Sequence, residues 1–318
     1  LLAESLAMLA RVCSDLPDTP VDKLAVVLPS NALGVNRAWL PALVYGASVA
    51  LKPGALDPFT PHRLVAALIH GGFPAEYFSV YPSGHETTDV LISLWPRVQL
   101  FGDAEVAARY RDNPAVQVNG PGRSALVLGA DVEIEEVFEE VVQGICLHEG
   151  RTCLNTTSIA FMGGEEGALD VARKLAERLD ETPSVHLSER AKSEAIQGAI
   201  ERALRVPGAL RLTKARSAHA EEASGSLLPT LLFCQDSAHP LARMELPLPF
   251  ASVSALSPEA LPAWLGPTLS VATLGVSDED LERLRSAPNI ERLWPESAHS
   301  LTTSMGDLHL ERMQRLLS

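Results

Sequence analysis

The chain has 318 residues, enough for about two domains at roughly 150 residues each. With 46% hydrophobic and 21% charged residues, its composition is that of a folded protein rather than a disordered one. Its 40 acidic residues outweigh 26 basic residues and give a net charge of −14, which argues against a nucleic-acid-binding surface or an anionic-membrane surface.

The cysteines and the apolar stretches define the expected environment. Cys13, Cys146, Cys153 and Cys234 are too few for a disulfide scaffold, and their spacing lacks the paired pattern of zinc ligands. We therefore expect reduced thiols, a cytoplasmic location and no metal site. The uncharged stretch 38–51 is too short and too interrupted to span a bilayer. The chain begins without Met, and we expect a truncated or processed N-terminus.

The first 145 residues alternate between short apolar segments and amphipathic segments. The apolar segments predict strands at Leu24–Leu28, Ala47–Leu51, Phe78–Tyr81, Val98–Phe101 and Ser124–Leu128. The amphipathic segments predict helices at residues 1–12, Trp39–Tyr45, Thr60–Ile69, Thr87–Trp95, Asp103–Arg111 and Ile134–Leu147. Near-continuous apolar strands alternating with helices are typical of a parallel sheet covered on both faces. Ligands bind such sheets at the carboxyl ends of the strands, so the loops there form the candidate site.

The second half of the chain has a different order of elements. Strands are predicted at 158–162, 227–233, 251–255, 269–274 and 290–293, and helices at 167–179, 188–204, 258–264 and 278–285. The sequence therefore predicts an α/β protein in which a parallel, Rossmann-like sheet domain precedes a second α/β domain. We expect the boundaries at 1–145, 146–293 and a C-terminal tail at 294–318.

One cysteine lies where a nucleophile could work. The segment Gly144–Thr157 reads GICLHEGRTCLNTT, so Cys153 follows a glycine-containing turn after a helix and precedes a strand. A nucleophilic thiol needs this kind of access, together with donors that stabilise its thiolate. From this loop alone, a small buried structural thiol is the alternative.

Six different short segments follow one another along the chain. They are Pro29-Ser30-Asn31, Lys52-Pro53-Gly54, Phe101-Gly102-Asp103, Asn119-Gly120-Pro121-Gly122-Arg123-Ser124, Gly150-Arg151-Thr152-Cys153 and Glu245-Leu246-Pro247-Leu248-Pro249. In order and spacing they resemble the Pro-x-Asn, Lys-Pro-Ser/Gly, Phe-x-Gly-Ser, Glu-Leu-Gly-Gly-Lys-Ser, Gly-Gln-x-Cys and Glu-Ile-Phe-Gly-Pro segments of the aldehyde dehydrogenase superfamily. The resemblance runs from about residue 24 to about residue 293.

This resemblance implies a cofactor-binding domain at 1–145, a catalytic domain at 146–293 and a role for each matched residue. Cys153 would be the nucleophile, and Asn31 would donate its amide to the oxyanion beside the Cys153 backbone N–H. Lys52 would bind the adenosine ribose of NAD or NADP, and Glu245 would bind its nicotinamide ribose. Gly102 and Asp103 would lie near the pyrophosphate. Taken singly, Asn31 also fits a turn former, Lys52 a solvated strand end and Glu245 a surface carboxylate.

One departure from the family pattern bears on the reaction. Asn119 occupies the position of the general-base Glu, and an amide cannot take a proton from water. Hydrolysis of a thioester on Cys153 should then be slow, which favours exchange with coenzyme A. We therefore expect an oxidoreductase that interconverts a small aldehyde and an acyl thioester with NAD or NADP. Whether the chain forms a homo-oligomer is left open.

Three alternatives stay open at this point. A non-catalytic member that keeps the fold is favoured by Asn119 and by Asp103, which is a poor neighbour for phosphate. An ordinary aldehyde-to-acid dehydrogenase would need another base, for which His148 is a candidate, although a helix-end capping role suits His148 as well. An unrelated cysteine acyltransferase would bind no nicotinamide.

Overall fold

The computed structural model describes residues 22–31, 33–186, 190–214 and 226–299, together with Leu316. These residues form two compact units. The N-terminal unit contains the described residues up to Gly120 and Leu316, and the C-terminal unit contains those from Pro121 onward. The predicted helix at residues 1–12 and most of the predicted tail lie outside the described residues.

The N-terminal unit is built on one parallel sheet. Its strands are β1 (Lys23–Val27), β2 (Ser48–Lys52), β3 (Phe78–Val80), β4 (Val98–Phe101) and β5 (Val116–Asn119). Its helices are α1 (Leu40–Val44), α2 (Phe59–His70), α3 (Thr88–Leu94) and α4 (Ala104–Tyr110). The strand order is β3-β2-β1-β4-β5, and every neighbouring pair is parallel.

Side chains of β1 show why the sheet is covered on both faces. Leu24 and Val26 pack in one apolar cluster with Trp39, while Ala25 and Val27 pack in another on the opposite face. Successive residues of a strand point to opposite faces, so a run in which every residue is apolar must be buried on both. The prediction of a parallel sheet with helices on both sides is therefore confirmed.

The strand order of this sheet reverses between β1 and β4. The chain leaves β1 toward β2 and β3, then returns to add β4 and β5 on the other side of β1. Loops that leave two neighbouring strands in opposite directions open a crevice at the carboxyl ends, which is the usual ligand position in this class of sheet.

The C-terminal unit contains a seven-stranded sheet and a two-stranded ribbon. Its strands are β6 (Ala125–Leu128), β7 (Ser158–Phe161), β8 (Val185–His186), β9 (Ala209–Arg211), β10 (Ser226–Leu227), β11 (Thr230–Cys234), β12 (Phe250–Ala255), β13 (Val271–Leu274) and β14 (Leu293–Pro295). Its helices are α5 (Phe138–Cys146), α6 (Glu165–Leu179), α7 (Arg190–Ala203), α8 (Leu261–Leu265) and α9 (Asp278–Arg285). The large sheet has the order β14-β13-β6-β7-β12-β11-β9, with only β9 antiparallel to its neighbour, and β8 pairs antiparallel with β10.

The division between the units differs from the predicted boundary at residue 145. β6 pairs with β7 and β13 of the large sheet, so it belongs to the C-terminal unit rather than to the first sheet. The division falls at Gly120–Pro121, directly after β5. The sequence pattern identified β6 as a strand but could not supply its partners, because both lie further along the chain.

Three strands of the described residues were not predicted. β5 has only four residues, two of them polar, and β8 has only two residues. β9 lies at the edge of the large sheet, between the predicted helix at 188–204 and the predicted strand at 227–233. Among the helices that the structure describes, none combines the length and apolar character needed to cross a bilayer.

Candidate functional site

The predicted site residues of the N-terminal unit lie along one edge of its sheet. Asn31 follows β1, Lys52 ends β2, Gly102 and Asp103 follow β4, and Asn119 ends β5. Because all five strands are parallel, their carboxyl ends meet at this same edge. The structure therefore brings these residues to the edge at which ligands of such sheets bind.

The loops after β1 and β2 approach each other closely. The Ser30 hydroxyl accepts a hydrogen bond from the backbone N–H of Leu56 at 3.0 Å. A Cβ at Gly54 would lie 2.2 Å from the Ser30 Oγ, so only glycine fits there without displacing the loop. This contact fixes the chain directly before Asn31, which is exposed.

Lys52 is a nearly buried cation at the end of β2, with 3% of its surface exposed. Burial lowers the pKa of its ammonium group, because the charged form loses hydration, and the charge of Glu86 acts in the opposite direction. A lysine is rarely buried in this way unless a structural contact or a ligand uses its charge.

Asp103 is the N-cap of α4. Its Oδ1 accepts hydrogen bonds from the backbone N–H groups of Glu105 and Val106, both at 3.0 Å. These are donors that a helix leaves unpaired in its first turn, and a carboxylate there also interacts favourably with the helix dipole. The Asp103 carboxylate therefore satisfies two N–H groups at the start of α4.

Asn119 lies at the buried end of β5, with 3% exposure. Its backbone oxygen accepts a hydrogen bond from the N–H of Gly102 at 3.1 Å, which joins the ends of β4 and β5. Gly120 follows with φ +116, and a Cβ there would lie 2.1 Å from the Gly102 oxygen. Glycine at 120 is therefore required both by its backbone conformation and by the space available.

Cys153 lies in the turn between α5 and β7 of the C-terminal unit and is partly exposed. The Ser124 hydroxyl donates a hydrogen bond to the Cys153 backbone oxygen at 2.7 Å. A Cβ at Gly122 would lie 2.5 Å from the Cys153 oxygen and 2.7 Å from its Cα and Cβ. The backbone of Cys153 is thus held from one side by Gly122 and Ser124.

The other two described cysteines are in different surroundings. Burial raises the pKa of the Cys146 thiol to about 11 and that of the Cys234 thiol to about 12. Thiols with such pKa values are mostly protonated at neutral pH and react slowly as nucleophiles. Of the three cysteines that the structure describes, Cys153 is the one that lies in a turn.

The segment before Cys153 has an unusual backbone. His148, Glu149 and Gly150 have φ values of 54°, 60° and 70°, all in the left-handed region that non-glycine residues rarely adopt. A Cβ at Gly150 would lie 2.3 Å from the backbone of Leu248. Strained backbone of this kind persists only where surrounding contacts enforce it, and it is common near functional sites.

Asn155 is the most extensively bonded side chain of this turn, and it is 2% exposed. Its Oδ1 accepts from the backbone N–H of Thr152 at 2.8 Å and from the Thr152 hydroxyl at 2.7 Å. Its Nδ2 donates to the carbonyl oxygens of Gly144, Ile145 and Leu147 at 3.0, 3.2 and 2.9 Å. The side chain therefore joins the Cys153 turn to carbonyls that α5 leaves unpaired at its C-terminus.

Glu245 contacts the same cluster. Its Oε2 accepts hydrogen bonds from the backbone N–H groups of Gly122 at 3.1 Å and Arg123 at 3.4 Å. Gly122 packs directly on Cys153, so Glu245 and Cys153 both contact the backbone segment around Gly122. The Glu245 side chain is exposed, and the two N–H groups fix its carboxylate.

Arg243 anchors the chain before Glu245. Its guanidinium lies 4.9 Å from the ring centre of Trp264 and donates to the Thr268 hydroxyl at 3.0 Å. Burial lowers its pKa to about 10, and the charge of Arg123 acts in the same direction. Among the described residues, no group of three or more His, Cys, Asp or Glu side chains could hold a metal ion.

Three residues of the cluster, Gly122, Ser124 and Asn155, were given no role from the sequence. Gly122 stands in a Gly-Pro-Gly tract, which signals a close backbone approach without identifying its partner. Asn155 lies two residues after Cys153, a position that suggests a turn contact. Gly122 contacts residues as distant in the chain as Glu245 and Leu269, and Ser124 contacts Cys153, so local sequence patterns could not reveal these partners.

Comparison with known proteins identifies the family. The family model described as "Aldehyde dehydrogenase family" matches residues 19–260, more than half of the chain. The phenylacetaldehyde dehydrogenase of Pseudomonas fluorescens is 29% identical over 144 residues, which cover 42% of this chain and 29% of that protein. The chain thus matches less than a third of the length of this curated relative.

Solved structures agree on the fold. The NAD⁺ complex of an aldehyde dehydrogenase from Mycobacterium tuberculosis superposes with a TM-score of 0.76 at 18% identity, covering 87% of this chain and 62% of that one. A 1-pyrroline-5-carboxylate dehydrogenase variant from Thermus thermophilus gives 0.77 at 16% identity, covering 98% and 71%. The predicted α/β fold class is confirmed by these neighbours. The extent of the family match and the shared fold show that the chain belongs to the aldehyde dehydrogenase family.

Proposed function

We propose that this chain forms the cofactor-binding and catalytic parts of an NAD- or NADP-dependent oxidoreductase that interconverts an aldehyde and an acyl thioester. The observation that carries the proposal is the arrangement around Cys153. Its backbone is fixed by Gly122, Ser124 and the Asn155–Thr152 contacts, and Glu245 is anchored to the same segment. Holding a reacting atom in one geometry is a main source of enzymatic rate enhancement.

In the proposed reaction the Cys153 thiolate attacks the aldehyde carbon and forms a thiohemiacetal oxyanion. The Cys153 backbone N–H and the Asn31 side-chain amide stabilise that oxyanion, since such donors act on charge that develops in the transition state. Loss of a hydride from the former aldehyde carbon leaves a thioester on Cys153. A coenzyme A thiolate then attacks the thioester carbonyl, releases acyl-CoA and regenerates the Cys153 thiolate.

NAD or NADP would supply the hydride acceptor. The crevice between the ends of β1 and β4 suits a dinucleotide, because the strand order reverses there. The neighbouring loops are closely packed at Gly54, Gly102 and Gly120, where a Cβ would clash with neighbouring atoms. Lys52 would bind the adenosine ribose, and Glu245 would bind the nicotinamide ribose. Gly102 and Asp103 would border the pyrophosphate, with the Asp103 charge directed into the first turn of α4. The mycobacterial neighbour whose structure contains NAD⁺ supports this cofactor class.

Asn119 decides the acyl acceptor in this proposal. Asn119 takes the place of the glutamate that the family resemblance assigns as general base. Its side-chain amide cannot accept a proton from water, so hydrolysis of the thioester is slow. A thiol is far more acidic than water and ionises without strong help, so transfer to coenzyme A proceeds. Aldehydes are the substrates in the names of curated relatives, such as the phenylacetaldehyde dehydrogenase. Cytoplasmic location and homo-oligomer formation stay predictions.

The test follows reduction of NAD⁺ or NADP⁺ by phenylacetaldehyde and by a short aliphatic aldehyde, with and without coenzyme A. We expect sustained reduction only with coenzyme A. Asn119→Glu should raise acid formation without coenzyme A, provided the carboxylate comes within about 3 Å of the attacking water. Asn119→Gln is the matched control, because it adds the same length without a base.

Two outcomes would contradict the proposal in different ways. Rapid acid formation by the unmodified protein without coenzyme A would indicate ordinary aldehyde oxidation with another base. No reduction of either nucleotide under any condition would indicate a non-catalytic member of the family.

A further inference from the structure

Three consecutive residues before Cys153, His148–Gly150, have left-handed backbone conformations that surrounding contacts must stabilise. Two of its three residues carry a Cβ, and an L-residue in this conformation costs roughly 1–2 kcal/mol. The run therefore needs contacts at both of its ends. Leu147 precedes it, and Thr152 follows it one residue after Arg151.

The Asn155 side chain contacts both ends of the run. Its Nδ2 donates to the Leu147 oxygen at 2.9 Å, and its Oδ1 accepts from the N–H and the hydroxyl of Thr152 at 2.8 and 2.7 Å. Thr152 is also buried and immediately precedes Cys153. Besides the contacts of Gly122 and Ser124, the Cys153 backbone is therefore held through one buried amide whose oxygen and nitrogen both form hydrogen bonds.

We propose that Asn155 is a positioning residue for Cys153. By joining Thr152 to the C-terminal end of α5, its amide fixes the turn in the conformation that aims the Cys153 N–H and thiol. The inference rests on the proposed function for its catalytic meaning, but the geometry of the thiol can be measured without turnover. A purely structural Asn155 would affect stability and leave the reactivity of Cys153 unchanged.

The test compares Asn155→Asp with Asn289→Asp in the full chain. Both changes are isosteric and remove an Nδ2 that donates to backbone carbonyls; that of Asn289 donates to the Pro262 and Gly266 oxygens at 2.9 and 2.6 Å. Asn289 lies after α9 and contacts neither Cys153 nor its turn. Thr152→Val is the milder companion, because it removes only the hydroxyl contact with Asn155.

The measurement is the rate constant for iodoacetamide alkylation of Cys153, read by peptide mass spectrometry from about pH 6 to about pH 10, where thiols titrate. In Asn155→Asp we expect the rate on the high-pH plateau to rise about three- to tenfold, the factor that corresponds to one lost hydrogen bond. Thr152→Val should shift it in the same direction by less, and Asn289→Asp should leave it unchanged.

The kinetic readout separates this inference from the proposed function. Asn155→Asp should lower kcat while the KM for NAD⁺ stays at the wild-type value, because the cofactor contacts are untouched. If the wild-type protein reduces no cofactor, the proposed function fails, and the alkylation rates still decide the role of Asn155. Equal plateau rates in Asn155→Asp and Asn289→Asp, or a slower rate in Asn155→Asp, would overturn it. If Asn155→Asp does not fold, an unchanged plateau rate in Thr152→Val would overturn it.

Discussion

Replacing Gly122 by alanine perturbs the Cys153 turn through space alone. The added Cβ would lie 2.5 Å from the Cys153 oxygen and 2.7 Å from its Cα and Cβ. Those neighbours are backbone and the base of a side chain, so they cannot rotate away. Gly122 lies outside the left-handed region, and the backbone conformation itself therefore allows alanine.

The size of the effect follows from these distances. Ordinary contacts of a Cβ begin near 3.4 Å, so Cys153 or Gly122 must move by about 1 Å. Overpacking of this kind typically costs about 1–3 kcal/mol of unfolding free energy. In a unit of this size that corresponds to a fall in Tm of about 2–12 °C. A displacement of about 1 Å at the reacting atom lowers turnover by about a hundredfold.

The assay combines thermal unfolding of the purified chain with the rate of NAD(P)H formation. Gly198→Ala is the matched control, because it adds the same methyl group within α7, where the Cβ meets only the end of the long Arg202 side chain, at 3.1 Å. Alanine is more stable than glycine in a helix by about 0.5–1 kcal/mol, so this variant should keep its activity and gain stability. A Gly122→Ala protein with wild-type Tm and wild-type turnover would refute the packing argument.

Three further predictions concern the thiols, the oxyanion and a buried cation. At about pH 8, alkylation should mark Cys153 before Cys146 and Cys234, whose pKa values are raised to about 11 and about 12 by burial; peptide mass spectrometry showing Cys234 first would count against the nucleophile assignment. Asn31→Ala should lower turnover by about a hundredfold with little change in Tm, because one oxyanion donor is lost from an exposed position; full activity would remove that role. Burial lowers the pKa of Lys52, so its charged form costs stability at neutral pH, and this cost fades as pH rises through the lowered pKa toward 10.5. Lys52→Met should therefore raise Tm at pH 7 and lose that gain in alkaline solution, and a gain that grows with pH would contradict the argument.

The sheet of the N-terminal unit was predictable because its signals are local. β1 contains the unbroken apolar run Leu24–Val27, and β4 is apolar except for Gln99. The loops that follow carry Asn31 and Asp103 at strand and helix ends. Asp103 was placed correctly at the start of a helix. The sequence did not show that its carboxylate accepts hydrogen bonds from the backbone N–H groups of Glu105 and Val106. These bonds leave fewer free donors for a ligand at the helix start.

Pairing and long-range contacts were the parts that sequence could not supply. β6 was recognised as a strand, but its partners β7 and β13 lie further along the chain and moved the unit boundary to Gly120. β5 was missed because two of its four residues are polar. Cys153 was proposed as the nucleophile from its turn and its resemblance to the family motif. The Asn155 contacts were missed because they depend on where α5 ends in space.

The central claim is that Cys153 carries the acyl group between aldehyde and thiol. The direct measurement is mass spectrometry of the protein quenched after incubation with phenylacetaldehyde and NAD⁺ or NADP⁺ in the absence of coenzyme A. The account predicts a phenylacetyl adduct on the peptide that contains Cys153, absent in Cys153→Ser and discharged when coenzyme A is added. Acyl-CoA formation by Cys153→Ser at the wild-type rate, or an adduct on a different cysteine, would contradict it.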